Sequence, residues 1–117
     1  MKKVILGYPK LPIKFKEKWL AALRSGEFKK GKGYLEKEDK KGSSFCCLGV
    51  ACKITHPKLD IRFMYFIEDL VGEKTTKIPK ILKGDDDDNI LVKKLSEMND
   101  SGKYSFNRIA DWIEKNL

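Results

Sequence analysis

Histidine is nearly missing from this sequence, arginine is scarce, and cysteine is confined to one short stretch. His56 is the only imidazole, so a nucleophilic cysteine has a single candidate base. The cysteines also lie in an apolar run rather than in the exposed, electropositive setting that thiolate chemistry needs. An enzyme is therefore not expected, and no carboxylate pair stands out for acid–base work. Cys46, Cys47 and Cys52 fall within seven residues, which excludes a long-range disulfide framework and suits a reducing, cytoplasmic compartment. Cys-Cys-x4-Cys-x3-His, ending at His56, offers zinc-type ligands. However, adjacent cysteines rarely face one ion, and no Cys-x-x-Cys knuckle is present. The thiols of Phe45–Cys52 are expected to be buried as small hydrophobes, with no metal and no cofactor. No apolar run approaches the ~18 residues that cross a bilayer, and the opening Met1–Gly7 is too short for a secretory signal. A membrane partner is not expected.

What the chain does have is charge. Of 117 residues, 36% are charged and 41% hydrophobic, enough for one modest core and a highly charged surface, so residues 1–117 are read as one domain. The net charge of +8 is unevenly spread: residues 1–58 hold 15 basic and 5 acidic groups (+10), and residues 59–117 hold 10 and 12 (−2). A polyanion is a natural partner for the N-terminal half. Because 22 of the 25 basic residues are lysine, the field suggests general anion attraction more than planar base readout.

Apolar periodicity sets the elements. Phe15, Trp19, Ala22 and Leu23 predict a helix over Phe15–Ser25, stopped by Gly26. Glycines at 31, 33 and 42 punctuate a charged stretch that reads as a strand or hairpin turning near Lys40–Gly42. Cys46–Ile54 predicts a short buried helix in which Gly49 and Ala51 admit a close backbone neighbour, and His56-Pro57 ends it. Phe63, Phe66, Ile67 and Leu70 predict a further helix over Ile61–Val71, with Gly72 as its stop, followed by a loop over Glu73–Gly84. The acidic run Asp85–Asn89 is read as capping the helix that begins at Ile90, since calcium loops framed on Asp85 or Asp86 both misplace the required glycine. Ser105 predicts the cap of a last helix to about Asn116, with Phe106, Ile109, Ala110 and Ile113 inward and Trp112 at the margin. The expected fold is α+β, mostly helical, with a short β-hairpin in the N-terminal half.

Four stretches carry a resemblance: Trp19–Gly26 (WLAALRSG), Gly31–Leu35 (GKGYL), Phe45–Val50 (FCCLGV), and Leu95–Asp100 (LSEMND) followed by Ser105–Asp111 (SFNRIAD). Together they resemble a family of small bacteriophage proteins, mostly uncharacterised. The likeness runs along nearly the whole chain and departs over 56–84, where the family is shorter and has a proline-led helix. The resemblance implies a phage or prophage origin and expression in a bacterial host's cytoplasm. It implies no reaction and supplies no catalytic residues.

Two candidate ligand sites follow from the residues. Arg24, Ser25, Lys30 and Lys32, around Gly31 and Gly33, could hold an anion, glycines letting backbone N–H groups approach phosphate oxygens. Against this, the sequence lacks a complete phosphate loop, and the first helix presents its negative end here. Asn99, Asp100 and Tyr104 could recognise a base or ribose, with an Asx turn between antiparallel helices as the plainer reading. A helix-turn-helix over 90–116 is disfavoured, because the second helix balances Arg108 and Lys115 against Asp111 and Glu114. The reading that joins these points is a small non-enzymatic phage accessory protein, of a counter-defence kind, that binds an anionic host component such as a nucleotide signal. The alternatives are nonspecific DNA or RNA binding, and inhibition of a host protein through exposed aromatics such as Tyr65 or Trp112. Self-association to a homo-oligomer fits so small a core.

Overall fold

A computed structural model describes residues 8–70, 75–85 and 87–117. Pro12 sets the backbone ahead of helix α1 (Ile13–Ser25), and Gly26 ends it at φ 82°, the left-handed conformation that glycine adopts freely. The helix has no side-chain cap and no acidic first turn, so packing holds it: Phe15, Trp19, Leu20 and Leu23 form its buried stripe. Trp19 is fully buried, and its indole N–H donates to the Cys47 carbonyl at 3.0 Å, the partner a buried indole requires.

The charged, glycine-punctuated stretch forms the expected hairpin. Strands β1 (Glu36–Asp39) and β2 (Gly42–Phe45) pair antiparallel, with Glu36 opposite Phe45 and Asp39 opposite Gly42. Helix α2 (Cys47–Thr55) follows at once, its first turn capped by the Cys46 sulfur, which accepts from the Gly49 N–H at 3.4 Å. A Cβ on Gly49 would overlap the Leu35 carbonyl oxygen, so glycine is what lets the chain entering β1 lie against the helix. All three cysteines are free and buried, as expected. Desolvation pushes the Cys46 thiol up to about 11 and Cys52 to about 12.

Residues 61–70 do not form the helix that their spacing predicts. Arg62 makes a parallel bridge to Glu36, Phe63 sits at φ 61°, and only Ile67–Asp69 completes a single 3-10 turn. The cause is competition for backbone groups: the Phe63 N–H donates to the Glu36 carbonyl at 2.8 Å, and the Met64 carbonyl accepts from the Leu35 N–H at 2.6 Å. Groups bonded to Leu35 and Glu36 cannot also build a helical ladder. Val71 and Gly72, the expected helix end, lie outside the described residues. In the stretch expected to be a loop, Pro79 leads a 3-10 turn, Lys80–Leu82, with Leu82 anchored in the core.

Helix α3 (Ile90–Asp100) is capped by Asn89, whose Oδ1 accepts from the Leu91 and Val92 N–H groups. The run Asp85–Asn89 thus caps the helix as expected, through its last residue, while Asp85 Oδ1 accepts from Asp87 and Asp88 in a turn before it. Asp86 is outside the described residues. Helix α4 (Phe106–Asn116) starts at Ser105, whose Oγ accepts from the Arg108 N–H at 3.2 Å, and buries the four residues expected. Trp112, half-buried, meets Tyr8 edge-on at 5.2 Å. α4 lies along α1, where Lys10 and Lys16 donate to the carbonyls of Asn116 and Glu114 at the negative end of the helix. The fold is α+β and mostly helical with one short hairpin, and its helices share one core. Among the described residues no helix is long and apolar enough to cross a membrane.

Candidate functional site

The two residue sets singled out from the sequence converge on one junction. Asn99 is 0% exposed and holds three segments together. Its Oδ1 accepts from the Cys47 N–H at 3.0 Å, and its Nδ2 donates to the Gly31 carbonyl at 2.8 Å. Its own carbonyl accepts from Lys30 Nζ at 2.5 Å. Asp100 Oδ1 accepts from the Gly33 N–H at 3.1 Å and from Asn99 Nδ2 at 3.0 Å. Asn99 is therefore neither an exposed reader of a base nor an Asx turn; it is a buried clamp with its amide fully engaged. Tyr104 packs half-buried against the core, not out toward a ligand, and the Lys32 ammonium lies over Gly102.

On one side of this junction a shallow cleft of about 230 Å³ is lined by Arg24, Gly26, Phe28, Lys30, Ser105 and Asn107, with Leu23 and Phe106 beneath. The sequence reading found α1's negative end here, but the cleft also contains the first turn of α4, which contributes a positive end. Ser105 caps the Arg108 N–H, and among the described residues no acceptor meets the N–H groups of Phe106 and Asn107. Arg24 is not free in the way expected: its Nη2 donates to Glu114 and Asp111 at 2.8 Å each, and those bonds raise its pKa above the ordinary value. Ser25 is engaged as well: its Oγ donates to the Ala22 carbonyl and accepts from the Glu27 N–H, finishing α1. Lys30 differs from both, because its partner is a neutral carbonyl and among the described residues it forms no ion pair.

On the other side of the junction, at the start of α2, lies a cavity of about 240 Å³ with Cys46, Cys47 and Leu48 as its apolar floor, Tyr65 and Phe66 as one wall, and Ser96 and Asp100 as another. Sequence reasoning passed over Phe66 and Ser96 as site residues, and it assigned Tyr65 to a protein surface. Helical spacing had placed Phe66 in a core stripe, and only the loss of that helix brings it to a cavity. The raised thiol pKa values leave Cys46 and Cys47 neutral at this floor. A third cleft of about 230 Å³ gathers Lys14, Lys18 and Lys77 beside Thr55. Among the described residues no three cysteine, histidine or carboxylate side chains gather as metal ligands would.

A family model described as a domain of unknown function (DUF8296) matches residues 11–80. The match spans α1, the hairpin, α2 and the irregular segment after it, and so includes Arg24, Lys30, Lys32 and Tyr65 but not the Asn99 clamp or the start of α4. No curated protein and no solved structure matches the chain.

Proposed function

This chain belongs to the DUF8296 family, and for this member we propose a small, non-enzymatic binding protein that takes up a phosphate-bearing anion of the nucleotide type. The observation that carries the reading is the cleft in which Lys30, without an ion-pair partner among the described residues, borders N–H groups of Phe106 and Asn107 that no described acceptor meets, at the positive end of α4. Backbone donors, a helix end and a lysine are together the ordinary means of holding phosphate oxygens. Arg24, braced by Asp111 and Glu114, shapes the rim and contributes little net charge. With the phage resemblance of the sequence, this supports an accessory, counter-defence role in a host cytoplasm, exerted by occupying an anionic component rather than transforming it.

The test is calorimetric titration with inorganic pyrophosphate at low salt. Lys30→Glu should weaken binding by about tenfold or more, the equivalent of ~1.4 kcal/mol for one charge-assisted contact. Unchanged affinity in that variant, or no binding by the parent, sinks the proposal. A second reading, an extended nucleic acid, is favoured by the separate cleft of Lys14, Lys18 and Lys77. In that case duplex binding falls steeply between ~50 and ~200 mM salt, with a slope set by the number of phosphates contacted.

A further inference from the structure

The cavity at the start of α2 combines features that the anion cleft does not use. We propose that it is a binding site for an amino-bearing purine ring, and this does not depend on the anion reading, since an uncharged nucleoside suffices. Its volume of about 240 Å³ lies just under the ~300 Å³ at which pockets for drug-sized ligands begin. That suits one fused ring system and not a whole nucleotide.

The aromatic wall is preformed. Tyr65 is 54% exposed yet stacks on Tyr34, with ring centroids 4.8 Å apart and planes 26° apart, and Phe63, 52% exposed, abuts Tyr34 edge-on at 5.4 Å. Phe63 holds a left-handed φ of 61°, a conformation rare for a bulky residue, because its own N–H and the Met64 carbonyl are both bonded to the segment entering β1. The result is a ring, stacked on its neighbour, that lines a cavity rather than a flat surface. Stacking on such a wall requires only a planar π face, and it loses little entropy because the wall is already ordered.

Ser96 and Asp100 supply the cavity's side-chain polarity. Ser96 and Asp100 are four residues apart on α3 and share a face. The bonds from Gly33 and Asn99 to Asp100 Oδ1 fix the carboxylate plane, and among the described residues nothing donates to Oδ2. A carboxylate oxygen accepts an exocyclic amino N–H, while the Ser96 hydroxyl can donate to or accept from the neighbouring ring nitrogen. The cavity disfavours an anion, because the Asp100 carboxylate lines it and two of the first three α2 N–H groups, those of Cys47 and Gly49, are already held by Asn99 and Cys46. A neutral ring therefore fits where a phosphate does not.

Chemical-shift titration of the full chain with adenosine, guanosine and purine riboside, which lacks the amino group, tests this. Adenosine or guanosine should bind, and purine riboside should bind about tenfold more weakly, for want of one hydrogen bond to a charged group. Tyr65→Ala, at an exposed position, should weaken adenosine binding by about tenfold or more through loss of the stacking wall. Asp100→Asn should remove the preference for the amino group. The proposal is overturned if neither amino-purine nucleoside binds, if purine riboside binds as tightly as adenosine, or if Tyr65→Ala binds as the parent does.

Discussion

Helices α2 and α4 begin with the same electrostatics and end up with different roles for it. At α2, the Cys46 sulfur takes the Gly49 N–H and the buried Asn99 amide takes the Cys47 N–H, so the protein itself holds two of the first three N–H groups. At α4, Ser105 takes only the Arg108 N–H, and the first two N–H groups stand beside Lys30 at an open cleft. A helix start is thus a structural socket where a side chain from another element reaches it, and keeps open donors where none does. The difference originates in α3, whose penultimate residue, Asn99, reaches α2 and the Gly31 carbonyl together.

The sharpest way to break this contrast is Asn99→Ala. It leaves the Cys47 N–H and the Gly31 carbonyl without their partner, at roughly 1–3 kcal/mol for each buried group. A loss of about 3 kcal/mol, or roughly 10 °C in melting temperature, is expected in thermal denaturation. A variant melting within a degree or two of the parent would show that the α2 start is not closed in this way.

A smaller effect comes from the thiols sealed beneath that start. Burial raises Cys46 to about 11 and Cys52 to about 12 from an ordinary value of 9.0. The folded chain therefore keeps protons that the unfolded chain releases, and stability is undiminished below pH ~9 and falls as pH rises beyond it, by on the order of 1 kcal/mol per thiol by pH ~10. Melting temperatures measured from pH 8 to 10 should fall, and less steeply in Cys52→Ala. Equal slopes in parent and variant would contradict the burial. The smallest effect is on the α4 side: Ser105→Ala removes one cap, about 1 kcal/mol. Pyrophosphate binding should persist in titration because the Phe106 and Asn107 N–H groups remain; its loss would place the hydroxyl itself in the site.

Elements governed by local rules were legible in advance. The α1 stripe, its Gly26 stop, the hairpin turn, the buried thiols of α2 and the Ser105 cap all follow from periodicity or turn chemistry within a few residues. Residues 61–70 were misread because their three-and-four spacing is helical, while the bonds that prevent a helix come from Leu35 and Glu36, remote in sequence. The candidate sites were half legible. Arg24, Lys30, Asn99 and Asp100 were visible as polar groups near glycines, but whether each is free or engaged depends on partners 52 to 90 residues away.

The amino-acid sequence by itself determined that this chain forms a small, basic α+β fold around helices with one apolar face each, because side-chain periodicity and turn residues act over a single turn. Tertiary structure alone decided which charged and polar groups remain available. It neutralises Arg24 with two α4 carboxylates, buries Asn99 as a clamp, leaves Lys30 beside an open helix start, and stands Tyr65 over a cavity. A hydrogen bond or ion pair is a property of two groups, and the sequence names only one of them at a time.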